Sequence, residues 1–304
     1  MPCGTVRSWH PSYYFEKTLT YRNYSGSRFR GSRFMENILS YEFMQNAVLT
    51  GIMASVICGF IGPFIVTKRM VFISGGLSHT AFGGLGIAYW LGVKPLYGAT
   101  AFVLLAAGII GNLEEKISDL FIGILWAVGV AVGIIFIHMT PGYTPDLMTF
   151  LFGNILMASR TDVIITLILL FLVTLPIFIF YKGFVSVALD EEYARARQLP
   201  VKALNMGLIV LVALSIVTLI QVVGIILVIA LLTIPVAIAG EMSMNFKRIM
   251  LLSIVFGIVI CLSGLSLSYF LELPSGASII LIGGMLLTLI KGAKKLSSHR
   301  KTTV

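Results

Sequence analysis

A chain of 304 residues that is 58% hydrophobic and 12% charged, at a mean hydropathy of +0.97, has too little polar surface for a water-soluble enzyme or nucleic-acid-binding domain. The formal charge of +9 points to no nucleic acid either, because almost every Lys and Arg lies between or outside the apolar runs, where membrane proteins collect them in cytoplasmic loops. The three cysteines, Cys3, Cys58 and Cys261, share no close spacing and read as packing residues.

A helical crossing of a hydrocarbon core ~30 Å thick takes ~20 mostly apolar residues. Such stretches recur along the chain between short charged breaks, and two-residue alternation is absent, which disfavours a β-barrel. The expected fold is all-α, a polytopic transmembrane helical bundle of eight or nine spans.

Residues 1–34 carry six basic side chains and one acid, Glu16, without an apolar run of signal-peptide type. They read as a basic tail expected to be disordered. Crossings are expected near 44–66, 72–92, 96–111, 120–139, 162–181, 205–220, 222–240, 249–271 and 276–291. The segment 147–157, LMTFLFGNILM, is too short to span and reads as a re-entrant or interfacial helix. Residues 292–304 form a basic tail.

If Lys68 and Arg69 are cytoplasmic and every run crosses, fourteen basic residues collect on that side and only Lys94 and Arg160 on the other. The C-terminus is then cytoplasmic. The six basic residues of the N-terminal tail fall on the wrong side, a conflict removed either by one span more or fewer or by a start at Met35, with a transmembrane domain over 35–291. Pro235 sits inside the run 222–240, where it removes a backbone hydrogen bond and frees a carbonyl. It reads either as a simple kink or as part of a path wall.

No G-x-x-x-x-G-K-[ST] loop or Rossmann glycine pattern occurs, so the chain has no nucleotide site of those kinds. All thirteen carboxylates lie in the N-terminal region, in loops or at span ends, which weighs against a proton-coupled carrier. No His-Glu-x-x-His or Cys-x-x-Cys motif exists, and of His10, His79, His138 and His299 only His79 lies well inside an apolar span.

Gly76, His79, Gly83 and Gly86 are spaced by three, four and three, and so share one helix face, with Gly75 and Phe82 flanking. Such a strip lets a neighbouring backbone approach closely. His79 then either donates a hydrogen bond across a tight interface or touches a passing ion, for which one neutral imidazole is a weak ligand.

The charged loop 182–204 contains Asp190, Glu191 and Glu192, followed by a helical patch from Tyr193 through Ala194 and Arg195 to Gln198 that stops before Pro200. Acids at the first turn and Arg195 and Arg197 further along complement a helix dipole. This is either a solvated loop helix or a cytoplasmic docking helix for another protein.

Four segments in order carry a resemblance that spans Met44 to Ile290. They are KRMVFISGGLSHTAFGGLGIAYWLG (68–92), TPDLMTFLFGNIL (144–156), LDEEYARARQLPVKALN (189–205) and VVGIILVIALLTIPVAIAG (222–240). Together they resemble the membrane permease of the zinc/manganese-type importers in the ATP-binding-cassette superfamily. The resemblance implies a permease that is not itself an enzyme, moving a divalent metal ion across the cytoplasmic membrane and binding no cofactor of its own.

The partners it implies are a second permease subunit, expected as a homodimer, two cytoplasmic ATPase subunits that use the ATP, an external metal-binding protein, and membrane lipid. Asp190 to Leu199 matches the family's ATPase-contacting segment, and His79 the histidine of its second-helix motif. Many members carry an acid four positions before that histidine, where this chain has Gly75. The competing expectations are a permease for a metal chelate of siderophore or cobalamin type, and an ATP-independent secondary carrier.

Overall fold

Apolar runs flanked by capping and charged residues become long helices in the computed structural model, which describes residues 41–112, 115–141 and 151–302. Nine helices among the described residues are long and apolar enough to cross a membrane, and none of the described residues forms a strand. They are α1 (Glu42–Thr67), α2 (Val71–Trp90), α3 (Pro95–Asn112), α4 (Glu115–Met139), α5 (Arg160–Ile179), α8 (Val201–Val223), α9 (Ile225–Met242), α10 (Phe246–Leu271) and α11 (Ser275–Thr302). Two short helices, α6 (Tyr181–Leu189) and α7 (Glu191–Ala196), separate α5 from α8. The tail 1–34, Met35, Asp146 and residues 147–150 lie outside the described residues.

Local chemistry sets the helix starts. Ser159 and Asp162 form a reciprocal capping box at α5, with the Ser159 N–H donating to Asp162 Oδ2 at 2.9 Å. Asn245 caps α10 by accepting from the Lys247 N–H at 3.0 Å. The α8–α9 junction is nearly loopless. Gly224 adopts φ +87°, a left-handed conformation that side chains resist, and ends one helix while starting the next.

Residues 152–155 pack against this junction, while Asn154 and Met157 remain exposed. Gly153, at φ +67°, packs against the backbone of Val223 and Gly224, and Gly276 of α11 packs against the Phe152 carbonyl. The Ile155 N–H donates to Ser275 Oγ at 3.2 Å, and the Ile155 side chain is buried.

Helices α1, α2 and α8 are the most enclosed, whereas α3, α4, α5 and α11 turn most of their surface outward. Those outward faces carry Leu105, Leu120, Phe171 and Leu289, the side chains a lipid environment accepts. Small residues bring α1 against α10: Gly59 lies on Ile254, and Gly257 on Ser55. Ion pairs join helices, Arg160 of α5 with Glu42 of α1 and Lys294 of α11 with Glu241 of α9.

Candidate functional site

The glycine face of α2 is a closed seam against α4. A Cβ on Gly83 would lie 2.8 Å from the Gly129 carbonyl oxygen, and one on Gly86 would lie 2.7 Å from the Gly133 Cα. In return, a Cβ on Gly129 would meet the His79 carbonyl oxygen at 2.9 Å, and one on Gly133 the Phe82 carbonyl oxygen at 2.7 Å. Gly76 abuts Ile122, and on the other side of α2 the backbone of Gly84 meets that of Gly98 in α3. At the glycine pairs the backbones approach this closely because neither residue puts a side chain between them.

His79 is half-buried in this seam, its ring stacked on Trp126 of α4 with centroids 4.3 Å apart and planes 17° from parallel. The same indole explains Gly75. A Cβ there would lie 2.9 Å from Cζ3 of Trp126, so the ring fills the space where a carboxylate side chain would go. Among the described residues no three His, Cys, Asp or Glu side chains converge. This arrangement offers an ion one imidazole and an aromatic face, without a carboxylate.

Gly75, Gly76, His79, Phe82 and Gly83 therefore come together on the α2–α4 seam. Pro235 does not join them. It is buried in α9 with Leu231, Ile234, Ile260 and Ile279 around it. A neighbouring stretch of α9 receives the α1 backbone, since Gly62 abuts the Leu232 carbonyl oxygen.

At the other candidate, Asp190 accepts the Tyr193 N–H at 3.0 Å and caps α7. The helix begins at Glu191 rather than Tyr193, which places the acids in its first turn, and Gln198, at φ +57°, lies beyond its end. Glu192, Tyr193 and Arg195 are exposed, and Arg197 lies over the Tyr193 ring at 5.7 Å. Ala194 is fully buried and seats the helix on the bundle.

Glu191 turns inward. Its Oε1 accepts from Lys68 Nζ at 2.7 Å and from Asn205 Nδ2 at 2.9 Å, while Arg195 approaches Oε2 at 3.6 Å. Burial pushes the Glu191 carboxyl up, but hydrogen bonds from Lys68 and Asn205 and the Lys68 and Arg195 charges outweigh it and hold the carboxyl below its ordinary range.

The profile of the ABC 3 transport family matches residues 40–292. The chain belongs to the ABC 3 transport family. The ABC 3 family match takes in every candidate residue above, on α2, α7 and α9 alike. The chain is 43% identical to an uncharacterized membrane protein of Synechocystis over 83% of its own length and 90% of the other's. It is 35% identical to the manganese transport system membrane protein MntC of Listeria monocytogenes, over 82% and 90%. Its fold superposes on a chain of PsaBC from Streptococcus pneumoniae in complex with Fab, with a TM-score of 0.77 at 34% identity, covering 85% of this chain and 94% of that one.

Four residues of these sites escaped sequence reasoning. Trp126 carried no signal beyond its place in an apolar span. Gly129 and Gly133 form a small-xxx-small pair that would have marked α4 as the partner of the α2 glycines. Lys68 was read only as a topological charge, although it opens the segment that carries His79.

Proposed function

We propose that this chain is the membrane permease of an ATP-binding-cassette importer that moves manganese or zinc as the bare ion into the cytoplasm. The near full-length match to MntC and to PsaBC supports this reading most strongly. The metal is cargo, and His79 is its one weak contact on the α2 wall. An ion held by a single neutral imidazole leaves as readily as it arrives, which suits conduction rather than storage.

ATP is used elsewhere. The exposed Glu192, Tyr193 and Arg195 of α7 form the docking face for one of two cytoplasmic ATPase subunits. A second copy of this chain completes the path, and an external metal-binding protein delivers the ion. Hydrolysis then drives alternating access, with each state opening the path to one side. The bias of basic residues puts α7 and the C-terminus in the cytoplasm. Residues 35–291 are the permease domain, between a basic tail over 1–34 and another over 292–304.

Uptake of radioactive manganese and zinc into proteoliposomes holding the permease, its ATPase and its binding protein tests the assignment. ATP-dependent accumulation of one ion is expected. Uptake that proceeds equally without ATP would overturn it in favour of a secondary carrier.

A further inference from the structure

We propose that Lys68, Glu191 and Asn205 form a latch that carries movement of the docking helix into the α1–α2 turn, and so into the helix bearing His79. This rests on the permease reading, since it concerns how ATPase motion would reach the path.

The geometry differs from that of an ordinary surface ion pair. The Lys68 side chain is only 14% exposed and that of Glu191 28%. A lysine ammonium has three donors. Those of Lys68 reach Glu191 Oε1 at 2.7 Å, Asn205 Oδ1 at 2.7 Å and the Val187 carbonyl at 3.3 Å. The Asn205 amide donates back to the same Glu191 oxygen at 2.9 Å, closing a ring of three side chains. One ammonium thus gathers α6, α7 and α8 at the end of α1.

Its attachment to α2 has little slack. Only Lys68, Arg69 and Met70 separate the two helices, and their N–H groups donate to the Phe64, Val66 and Ile65 carbonyls at 3.0, 3.2 and 2.8 Å. Arg69 is held at φ +57°, a conformation costly for a side chain and kept only where surroundings enforce it. A displacement of α7 that drags Glu191 must therefore drag Lys68 and the start of α2, or break a largely desolvated charge pair. Arg195 reaches this network through Glu191 of its own helix, at 3.6 Å, and Glu192 is exposed.

The test uses the full complex in proteoliposomes, reading metal transported per ATP hydrolysed, with whichever of manganese and zinc the wild type moves. Lys68→Met and Asn205→Leu should keep the ATPase bound and hydrolysing while lowering that ratio about tenfold or more, within the ~5- to 150-fold usual for coupled sites. Lys68→Arg, which keeps the charge, should restore most of it. If Lys68→Met does not accumulate, Asn205→Leu carries the test. A wild-type ratio in both variants, or a fall matched by equal loss of bound ATPase, would overturn the latch alone. A wild-type complex that moves neither ion would overturn the permease reading, and the latch with it.

Discussion

The imidazole of His79 stacks on the indole of Trp126 at a centroid distance of 4.3 Å and 17° from parallel, so the one histidine well inside the described spans has its ring faced by carbon rather than by a carboxylate. Aromatic stacking contributes ~0.5–1.5 kcal/mol beyond burial. His79→Ala should cut uptake at least about tenfold, equivalent to ~1.4 kcal/mol at the barrier, with protein level unchanged. Loss of folded protein in step with uptake would mark the ring as packing alone. Quantitative blotting beside the uptake assay separates the two.

The contact between Gly75 and Trp126 makes a paired prediction. Gly75→Asp alone drives a side chain into the indole, since even its Cβ would stand 2.9 Å from the ring, and should lower the unfolding temperature in detergent. Gly75→Asp with Trp126→Ala removes the clash and creates an Asp-His pair one helical turn apart. The double variant should bind manganese or zinc more tightly in a direct titration and release it more slowly.

The α2–α4 seam should tolerate no added carbon. Gly83→Ala meets the Gly129 carbonyl at 2.8 Å, and because that atom is backbone the helices must separate. A loss of ~1–3 kcal/mol is expected. Gly108→Ala in α3, where nothing lies within 4 Å of the new carbon, should be neutral or gain ~0.5–1 kcal/mol from helix propensity. Thermal unfolding of the two variants side by side checks the contrast.

Asp190→Ala should free the first turn of α7 at a cost of ~1 kcal/mol locally. Glu192→Lys should leave the helix intact and weaken ATPase binding through its exposed face. Co-purification of the ATPase with each variant distinguishes a frayed docking helix from a mismatched one.

The depressed Glu191 carboxyl carries a pH signature. A group whose folded pKa lies below its unfolded value stabilises the fold fully above the unfolded value, near ~4.3, and loses that contribution as pH falls through the folded value. The wild type should therefore lose stability on acidification from neutral pH through that window. Glu191→Gln, uncharged throughout, should show a shallower acid limb in unfolding temperature against pH.

Hydropathy located the nine helices of the described residues that are long and apolar enough to cross a membrane, because whether a segment suits lipid is decided within ~20 residues and needs no partner. The expected 276–291 and the observed Ser275–Thr302 differ for a local reason. The apolar run ends where lipid would, but the Lys and Ala that follow are good helix formers and the helix continues. The glycine spacing on α2 likewise identified the face of close approach before any partner was known.

What approaches that face is a different kind of fact. Trp126 is 47 residues from His79 and Glu191 is 123 from Lys68, and no periodicity links such pairs. The sequence by itself determined where the long apolar helices lie, where the charges between them fall and which helix carries the glycine strip, since these follow from local hydropathy and 3.6-residue spacing. Only the tertiary structure decided that an indole stands where a carboxylate side chain would go and that Glu191 meets Lys68 of the α1–α2 turn. Both depend on which helices pack together, and that is settled by close fit summed over the whole bundle.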